Sequence, residues 1–176
     1  WAWVADLVYS YRWQRIESVL ILGLGGGTVG HFLERRFPGV MLDGVELDPL
    51  VIEAGKRYFE LDNLQSLQPL CGDAYEVIRK PIDFNLRSSR YDLVLVDVFS
   101  GGKFPEKFAT GPFLDKLRKF LDPGATVIFN QTARSSKHLG LDSFKETLGN
   151  YFGEIGQEEV GAELGFSNFL VSACRL

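Results

Sequence analysis

The sequence is poor in cysteine, which argues against a disulfide-rich domain and against a zinc site. Its 176 residues include only two cysteines, Cys71 and Cys174, which stand far apart and lack the spacing of metal ligands. Disulfide-stapled secreted domains and zinc-binding domains both need more cysteines at shorter spacing. We therefore expect no metal site, a reducing compartment and a cytoplasmic location, with Cys71 as a small buried residue.

Long apolar runs and an excess of basic charge are also missing. The longest apolar stretches have the length of a strand, so none could span a bilayer, and the formal net charge is −4. A general nucleic-acid binder would carry a broad basic surface, and this charge argues against one. We expect neither a membrane nor a nucleic acid as partner. The sequence begins at Trp1 without a methionine or a signal-like segment, which leaves open whether further residues precede it.

Glycine, by contrast, is abundant, and one glycine-rich stretch organises the chain. Four apolar residues, Val19–Leu22, run into Gly23, Gly25, Gly26 and Gly27, and a helical pattern of apolar residues follows at once. The apolar run suits a strand buried on both faces of a parallel sheet. The glycines permit a turn with positive φ, and the N-terminus of the following helix attracts acceptor atoms. Strand, glycine turn and helix together are typical of a nucleotide-binding α/β domain.

Strands and helices alternate through the remainder of the chain. Further strands are predicted at Val40–Glu46, Leu67–Cys71, Tyr91–Asp97, Ala125–Asn130, Glu154–Glu163 and Phe169–Leu176. Further helices are predicted at Trp1–Gln14, from Asp48-Pro49 with Val51, Ala54 and Tyr58 buried, and at Ala74–Arg79, Phe113–Leu121 and Leu141–Phe152. This order predicts an α/β fold with a doubly wound, mostly parallel seven-stranded sheet, helices on both faces and a C-terminal antiparallel hairpin. We expect one domain over 1–176, with an N-terminal helix (1–17), a core (18–130) and a C-terminal helix and hairpin (131–176).

Acidic residues lie at or just after the carboxyl ends of three predicted strands, where α/β sheets bind ligands. Glu46 ends the second strand about 20 positions after Gly27, the spacing of an acid that accepts ribose hydroxyls. Asp73 follows the third strand, where a carboxylate can receive the exocyclic amine of a base, and Asp97 ends the fourth. Taken singly, Glu46 also suits a solvated strand end, and Asp73 also suits a helix cap. The order of the three acids, rather than any one of them, indicates a nucleoside site.

A second nucleotide pattern occurs in the same stretch. Gly25, Gly27 and Gly30 match G-x-G-x-x-G, the fingerprint of nicotinamide dinucleotide sites. Counted from the strand end, however, the triplet is Gly23, Gly25 and Thr28, and a threonine stands where close helix packing needs a small residue. A single adenosine with a charged tail accounts for more of the acids than a dinucleotide does. The dehydrogenase interpretation therefore ranks last.

In this order the motifs resemble those of class I S-adenosylmethionine-dependent transferases, and more narrowly the spermidine synthase-like branch. The resemblance covers about Val19 to Asn130 and is carried by Val19–Gly27, Val45–Pro49, Cys71–Ala74, Tyr91–Asp97, Phe104–Thr110 and Leu121–Ala125. The cofactor-binding residues that it implies are Gly23, Gly25, Gly27, Glu46, Leu47, Asp73, Ala74 and Asp97. The glycines would surround the amino-acid tail and ribose of S-adenosylmethionine or its decarboxylated form. Glu46 would hold the ribose hydroxyls, and Asp73-Ala74 would hold the adenine.

The residues after the fourth strand depart from the aminopropyltransferases of this branch. Those enzymes have Asp-Ser-Ser-Asp there, whereas this chain has Asp97-Val-Phe-Ser100, so a serine replaces the acid that deprotonates the attacking amine. The β-rich segment that helps to enclose the polyamine also lies outside this sequence. Both departures resemble the spermidine synthase-like methyltransferases. We therefore expect methyl transfer with Asp97 as the catalytic residue. Aminopropyl transfer to a diamine, or a cofactor-binding module without catalysis, stays open as an alternative.

The acceptor cannot be read from the sequence. Residues 98–110 and the predicted hairpin do not distinguish a small molecule from a protein side chain. Trp1, Trp3 and Trp13, on the predicted terminal helix, suit a homodimer interface and equally suit packing on the domain's own sheet. Both the acceptor and the oligomeric state therefore stay open.

Overall fold

The computed structural model describes residues 16–133, 139–163 and 166–175. The predicted helix Trp1–Gln14, with its tryptophans, lies outside the described residues. The chain divides into two compact units, one ending at Ser88 and the other beginning at Ser89. Within the described residues, no helix is both long enough and apolar enough to cross a membrane.

In the first unit, the described residues, which begin at residue 16, form three parallel strands and three α-helices. The strands are β1 (Ser18–Leu22), β2 (Met41–Glu46) and β3 (Leu67–Cys71), and the helices are α1 (Thr28–Arg36), α2 (Pro49–Tyr58) and α3 (Ala74–Arg79). Leu22 on β1 pairs with Val45 on β2, and Glu46 on β2 pairs with Cys71 on β3. This register brings the carboxyl ends of neighbouring strands to the same level, where the loops of the candidate site begin.

Local sequence explains both the burial of β1 and the starts of two helices. All of Val19–Leu22 is inaccessible to solvent, as a central parallel strand requires. At the start of α2, Asp48 Oδ1 accepts a hydrogen bond from the Leu50 amide, and a proline occupies the first turn. At the start of α3, Asp73 Oδ1 accepts one from the Tyr75 amide at 2.8 Å. Capping side chains thus set where both helices begin.

The second unit combines a parallel strand pair with an antiparallel end. Its strands are β4 (Tyr91–Val96), β5 (Leu121–Ala133), β6 (Gly153–Glu163) and β7 (Phe166–Cys174), and its helices are α4 (Gly111–Leu117) and α5 (Leu139–Gly149). β4 and β5 run parallel, whereas β7 runs antiparallel to β5 and to β6. The strand order of the seven-stranded sheet is β3-β2-β1-β4-β5-β7-β6. The predicted α/β sheet with a C-terminal antiparallel hairpin is confirmed.

Phenylalanine side chains form part of the core of the second unit. The ring of Phe129 on β5 lies 5.0 Å from that of Phe144 on α5, and the ring of Phe108 lies 5.0 Å from that of Phe113 on α4. Phe104 lies between these pairs, with its ring centroid 6.2 Å from Phe108 and 6.1 Å from Phe144. Because Phe104 belongs to the loop after β4, this cluster holds the end of that loop in place.

Some predictions about individual residues and bounds are wrong. Tyr58, predicted to be buried, is the last residue of α2 and is 66% exposed. Gly55 is buried there instead, because α2 approaches Leu61 closely. Cys71 is exposed rather than buried, since it ends β3, which is an edge strand. The strand β5 extends beyond its predicted bounds at both ends.

Candidate functional site

The glycine turn after β1 uses backbone conformations that favour glycine. Gly23, Gly25 and Gly27 have φ angles of 95°, 56° and 93°, in the left-handed region. The amides of Gly23 and Leu24 both donate to the carbonyl oxygen of Val45, at 2.9 and 2.8 Å. The turn is thereby fastened to the end of β2, and its three alternate glycines are required by the backbone itself.

The glycines of the turn differ in what surrounds them. A Cβ atom on Gly27 would overlap with the Leu61 side chain, and one on Gly26 would lie 3.2 Å from the Phe59 ring. A Cβ atom on Gly25, in contrast, would meet no atom within 4 Å. Gly26 and Gly27 therefore allow close packing within the protein. Gly25 presents its backbone to open space, where a ligand can approach.

Glu46 joins the end of β2 to the glycine turn. Its Oε2 atom accepts a hydrogen bond from the Gly25 amide at 2.8 Å, and its Oε1 atom accepts one from the Asp48 amide at 3.1 Å. An ionised carboxylate offers about four acceptor positions, so both oxygens can accept further donors. The half-buried carboxylate is thus fixed beside the open glycine and retains the capacity to bind hydroxyl or amine groups.

The other predicted cofactor residues of the first unit lie at the ends of β2 and β3. The Gly72 amide donates to the carbonyl oxygen of Glu46 at 2.9 Å, so Asp73 follows a strand end that is held in place. One oxygen of Asp73 caps α3, as the alternative interpretation expects, and Ala74 is buried. Leu47 is 67% exposed and leaves an apolar side chain in solvent next to Glu46 in sequence. The structure brings these residues together at neighbouring strand ends, and their roles toward a ligand stay predictions.

In the second unit, Asp97 is paired with a residue that the sequence analysis did not single out. Asp97 follows β4, and its Oδ1 atom accepts a hydrogen bond from Nδ2 of Asn130 on β5 at 2.8 Å. Asn130 is only 5% exposed, and its Oδ1 atom is buried with no hydrogen-bond partner among the described residues. The available signal was an asparagine at the end of an apolar strand, where a polar side chain needs a partner.

The loop after β4 contains a tight turn in place of the second acid of the aminopropyltransferases. The amides and carbonyls of Ser100 and Lys103 exchange hydrogen bonds of 2.9 and 3.2 Å around Gly101 and Gly102. Both glycines have positive φ, the conformation of a two-residue hairpin turn. Thr132 Oγ1 on β5 donates to the Gly102 carbonyl oxygen at 3.3 Å. This turn fixes the backbone that follows Asp97.

The polar groups at the strand ends of the first unit and after β4 in the second unit can form hydrogen bonds. Their carboxylates can also accept a proton. Backbone amides, the carboxylates of Glu46, Asp73 and Asp97, and the amide of Asn130 are the polar groups available. Within the described ranges, no group of three or more histidine, cysteine, aspartate and glutamate side chains is placed to hold a metal ion.

Comparisons with known proteins connect the chain to two kinds of transferase. No protein-family model matches it. A polyamine aminopropyltransferase of Vibrio vulnificus is 31% identical over 149 residues, which cover 85% of this chain and 48% of the relative. The human eEF1A lysine and N-terminal methyltransferase is 28% identical over 130 residues, which cover 70% of this chain and 18% of the relative. The chain therefore spans about half the length of the first relative and a smaller part of the second.

A solved structure agrees with the second of these relationships. The crystal structure of human methyltransferase-like protein 13 in complex with SAH (S-adenosylhomocysteine) matches with a TM-score of 0.75 and 25% identity. The match covers 98% of this chain and 75% of that one. The resemblance inferred from the motifs is confirmed: the chain is a homologue of polyamine aminopropyltransferases and eEF1A methyltransferases, with the class I S-adenosylmethionine-dependent methyltransferase fold.

Proposed function

We propose that the chain is a single-domain, spermidine synthase-like transferase that uses S-adenosylmethionine and transfers its methyl group. The observation that carries this proposal is the hydrogen bond from the Gly25 amide to Glu46 Oε2. It joins an open stretch of backbone to a fixed carboxylate at the ends of two paired strands. This combination suits a nucleoside that carries both ribose hydroxyls and a charged tail.

The first unit fits the ribose and the amino-acid tail of the cofactor. Glu46 accepts the two ribose hydroxyls through the acceptor positions that its bonds to Gly25 and Asp48 leave available. The backbone of the turn approaches the tail because Gly25 carries no side chain there. Gly23 and Gly27 hold the turn in the required left-handed conformation.

The ends of β2 and β3 fit the adenine. Asp73 accepts a hydrogen bond from the exocyclic amine while its Oδ1 atom continues to cap α3. Leu47 covers one face of the base, and the exposure of this large apolar side chain supports that role. Ala74 leaves space for the ring because its side chain is small.

Asp97 serves the acceptor side of the reaction. S-adenosylmethionine supplies a methyl group on a sulfonium, which is already electrophilic, so alignment for in-line attack is the main requirement on the protein. Asp97 orients the acceptor through a hydrogen bond and compensates positive charge. Asn130 supports it by donating from Nδ2 to Asp97 Oδ1, which fixes the plane of the carboxylate.

Aminopropyl transfer from decarboxylated S-adenosylmethionine to a diamine is the second candidate. The 31% identity to the Vibrio vulnificus polyamine aminopropyltransferase favours it. Ser100 argues against it, because a serine in a tight turn neither balances a cationic amine nor takes its proton as a carboxylate does. A cofactor-binding module without catalysis would bind the cofactor and turn over no acceptor.

The setting of the reaction is also a proposal. We propose a cytoplasmic protein that acts on a small-molecule or protein acceptor, alone or as a homodimer, without a membrane or nucleic-acid partner. The net charge of −4 and the two widely separated free cysteines support this setting.

Calorimetric titration with S-adenosylmethionine and with its decarboxylated form distinguishes the two candidates. We expect tighter binding of S-adenosylmethionine, followed by methyl transfer and no aminopropyl transfer to putrescine. Preference for the decarboxylated form, with spermidine as product, would instead assign aminopropyl transfer. Failure of both to bind at millimolar concentration would contradict the proposed function.

A further inference from the structure

We infer that His31 is a positioning residue for the glycine turn. Its side chain forms a hydrogen bond to the Phe59 carbonyl oxygen and thereby holds the segment 59–64, which packs against the turn. Helical spacing predicts that His31 faces solvent. In the structure it is half-buried, and its Nε2 atom lies 2.8 Å from that oxygen. A carbonyl oxygen only accepts, so Nε2 carries the hydrogen and donates. The same nitrogen also carries hydrogen in the protonated ring.

The segment 59–64 supplies the side chains that meet the glycines. The Phe59 ring lies against Gly26, and Leu61 occupies the space in which a Gly27 side chain would stand. Leu64 makes the corresponding contact one turn into α1, 3.1 Å from the position of a Cβ atom on Gly30. The segment 59–64 therefore forms a wall that packs against Gly26, Gly27 and Gly30.

This wall has a strained backbone at the point where His31 binds. Glu60, directly after Phe59, has a φ of 55°, in the left-handed region that side chains other than glycine rarely adopt. The 3-10 turn Leu61–Asn63 begins directly after it. A hydrogen bond from α1 to the preceding carbonyl fixes the peptide that leads into this conformation. Its loss would allow Leu61 to withdraw from Gly27.

Movement of the wall would disturb the ligand side of the turn. The Gly27 amide donates to the Leu24 carbonyl oxygen at 3.2 Å, so a shift of Gly27 alters the turn that presents the Gly25 amide to Glu46. His31 thereby acts on cofactor binding without contact with the cofactor. The effect on cofactor affinity rests on the proposed function, whereas the effect on the turn does not.

The test uses His31→Leu, which removes the donor, and His31→Gln, whose amide nitrogen can donate in place of Nε2. Arg35→Ala, at an exposed position one turn further along α1, is the control for general changes to this helix. Amide hydrogen exchange is measured at Gly27 and Asn63, whose amides donate to Leu24 and Glu60. S-adenosylhomocysteine affinity is measured by calorimetry on the same samples.

We expect His31→Leu to speed exchange at Gly27 and Asn63 and to weaken S-adenosylhomocysteine binding by about three- to tenfold. His31→Gln should restore both, and Arg35→Ala should change neither. Unchanged exchange in His31→Leu, no restoration by His31→Gln, or an equal effect of Arg35→Ala would overturn the inference. If the unaltered protein fails to bind, the proposed function fails, and the exchange measurements still decide the role of His31.

Discussion

The candidate sites of the two units consist of different chemical groups, mainly main-chain groups in the first unit and side chains in the second. In the first unit, the candidate site consists mainly of main-chain amides and one carboxylate. The amides of Gly25 and Asp48 donate to Glu46, and glycines allow the backbone to approach a ligand. In the second unit, side chains distant in sequence meet: Asp97 pairs with Asn130, 33 residues away. A site formed by main-chain groups at strand ends can be recognised in the sequence, because its glycines and acidic residues follow the strands at regular spacing. A site built from side-chain pairs cannot be recognised in this way.

The largest effect is expected from the second unit. Asp97→Asn should lower methyl transfer by about 100- to 1,000-fold, because the neutral amide does not compensate positive charge as the carboxylate does. Affinity for S-adenosylhomocysteine should change much less. The measurement is the initial rate with an acceptor that the unaltered protein methylates, with Glu106→Gln, an exposed carboxylate after the same loop, as the control. Full transfer by Asp97→Asn would remove the catalytic role.

A buried ion pair should make the stability of the first unit sensitive to the removal of a single charged side chain. Asp43 on β2 is fully buried and accepts from Arg87 Nε at 2.6 Å and from the Arg87 amide at 2.8 Å. Arg87→Ala leaves a buried charge without its main partner and should lower the free energy of unfolding by about 3–5 kcal/mol. Urea denaturation measures this loss. Joint replacement of both residues by leucine should cost clearly less; an equal loss would contradict the account.

Alanine substitutions at two glycines of the same turn should distinguish the role of packing within the protein from the role of ligand approach. Gly27→Ala should lower stability by about 1–3 kcal/mol from overpacking against Leu61, beyond the left-handed strain that it shares with Gly25→Ala. Gly25→Ala meets no atom within 4 Å, so its stability loss should be the smaller of the two. The order should reverse for cofactor binding. Relative to the stability that each variant loses, Gly25→Ala should lose more cofactor affinity than Gly27→Ala. Thermal unfolding and calorimetry on both variants check this, and equal losses in both measurements would contradict the distinction.

The sequence predicted most of the first unit because its signals are local. The bounds of Leu67–Cys71 and Ala74–Arg79 are confirmed, as is the helix start at Asp48-Pro49. Each depends on a proline, a cap or an apolar run within a few residues. The burial of Gly55 in place of Tyr58 was missed, because it depends on how closely α2 approaches Leu61.

The features that the sequence did not reveal are long-range side-chain contacts. Arg87 lies between the predicted helix Ala74–Arg79 and the predicted strand Tyr91–Asp97, yet it binds Asp43, 44 residues earlier. Asn130 was read only as the end of a strand, yet its amide nitrogen binds Asp97. Charged and amide side chains fit many partners, and only the fold selects one. Strand register and loop path therefore had to be known before either pair could be named.

The smallest expected effect is on the acid stability of the first unit. Ser66 donates to Glu34 Oε1 from its hydroxyl at 2.6 Å and from its amide at 3.0 Å, and these bonds lower the pKa of Glu34 below its usual value of 4.5. This stabilisation is present above pH 4.5 and is lost as the pH falls through the lowered pKa of the folded state. Ser66→Ala should be less stable at neutral pH and should converge with the unaltered protein on acidification. Urea midpoints from neutral pH to about pH 3 test this; a constant difference would contradict it.

We propose that Glu46, fixed by the Gly25 amide, binds the ribose of an S-adenosyl cofactor. Calorimetric titration of S-adenosylhomocysteine into the unaltered protein and into Glu46→Gln tests it most directly, with Glu53→Gln on the exposed side of α2 as the control. Glutamine accepts through one oxygen only and carries no charge, so Glu46→Gln should weaken binding by about ten- to 100-fold, with Glu53→Gln unchanged. Equal affinity of Glu46→Gln and the unaltered protein would contradict the claim.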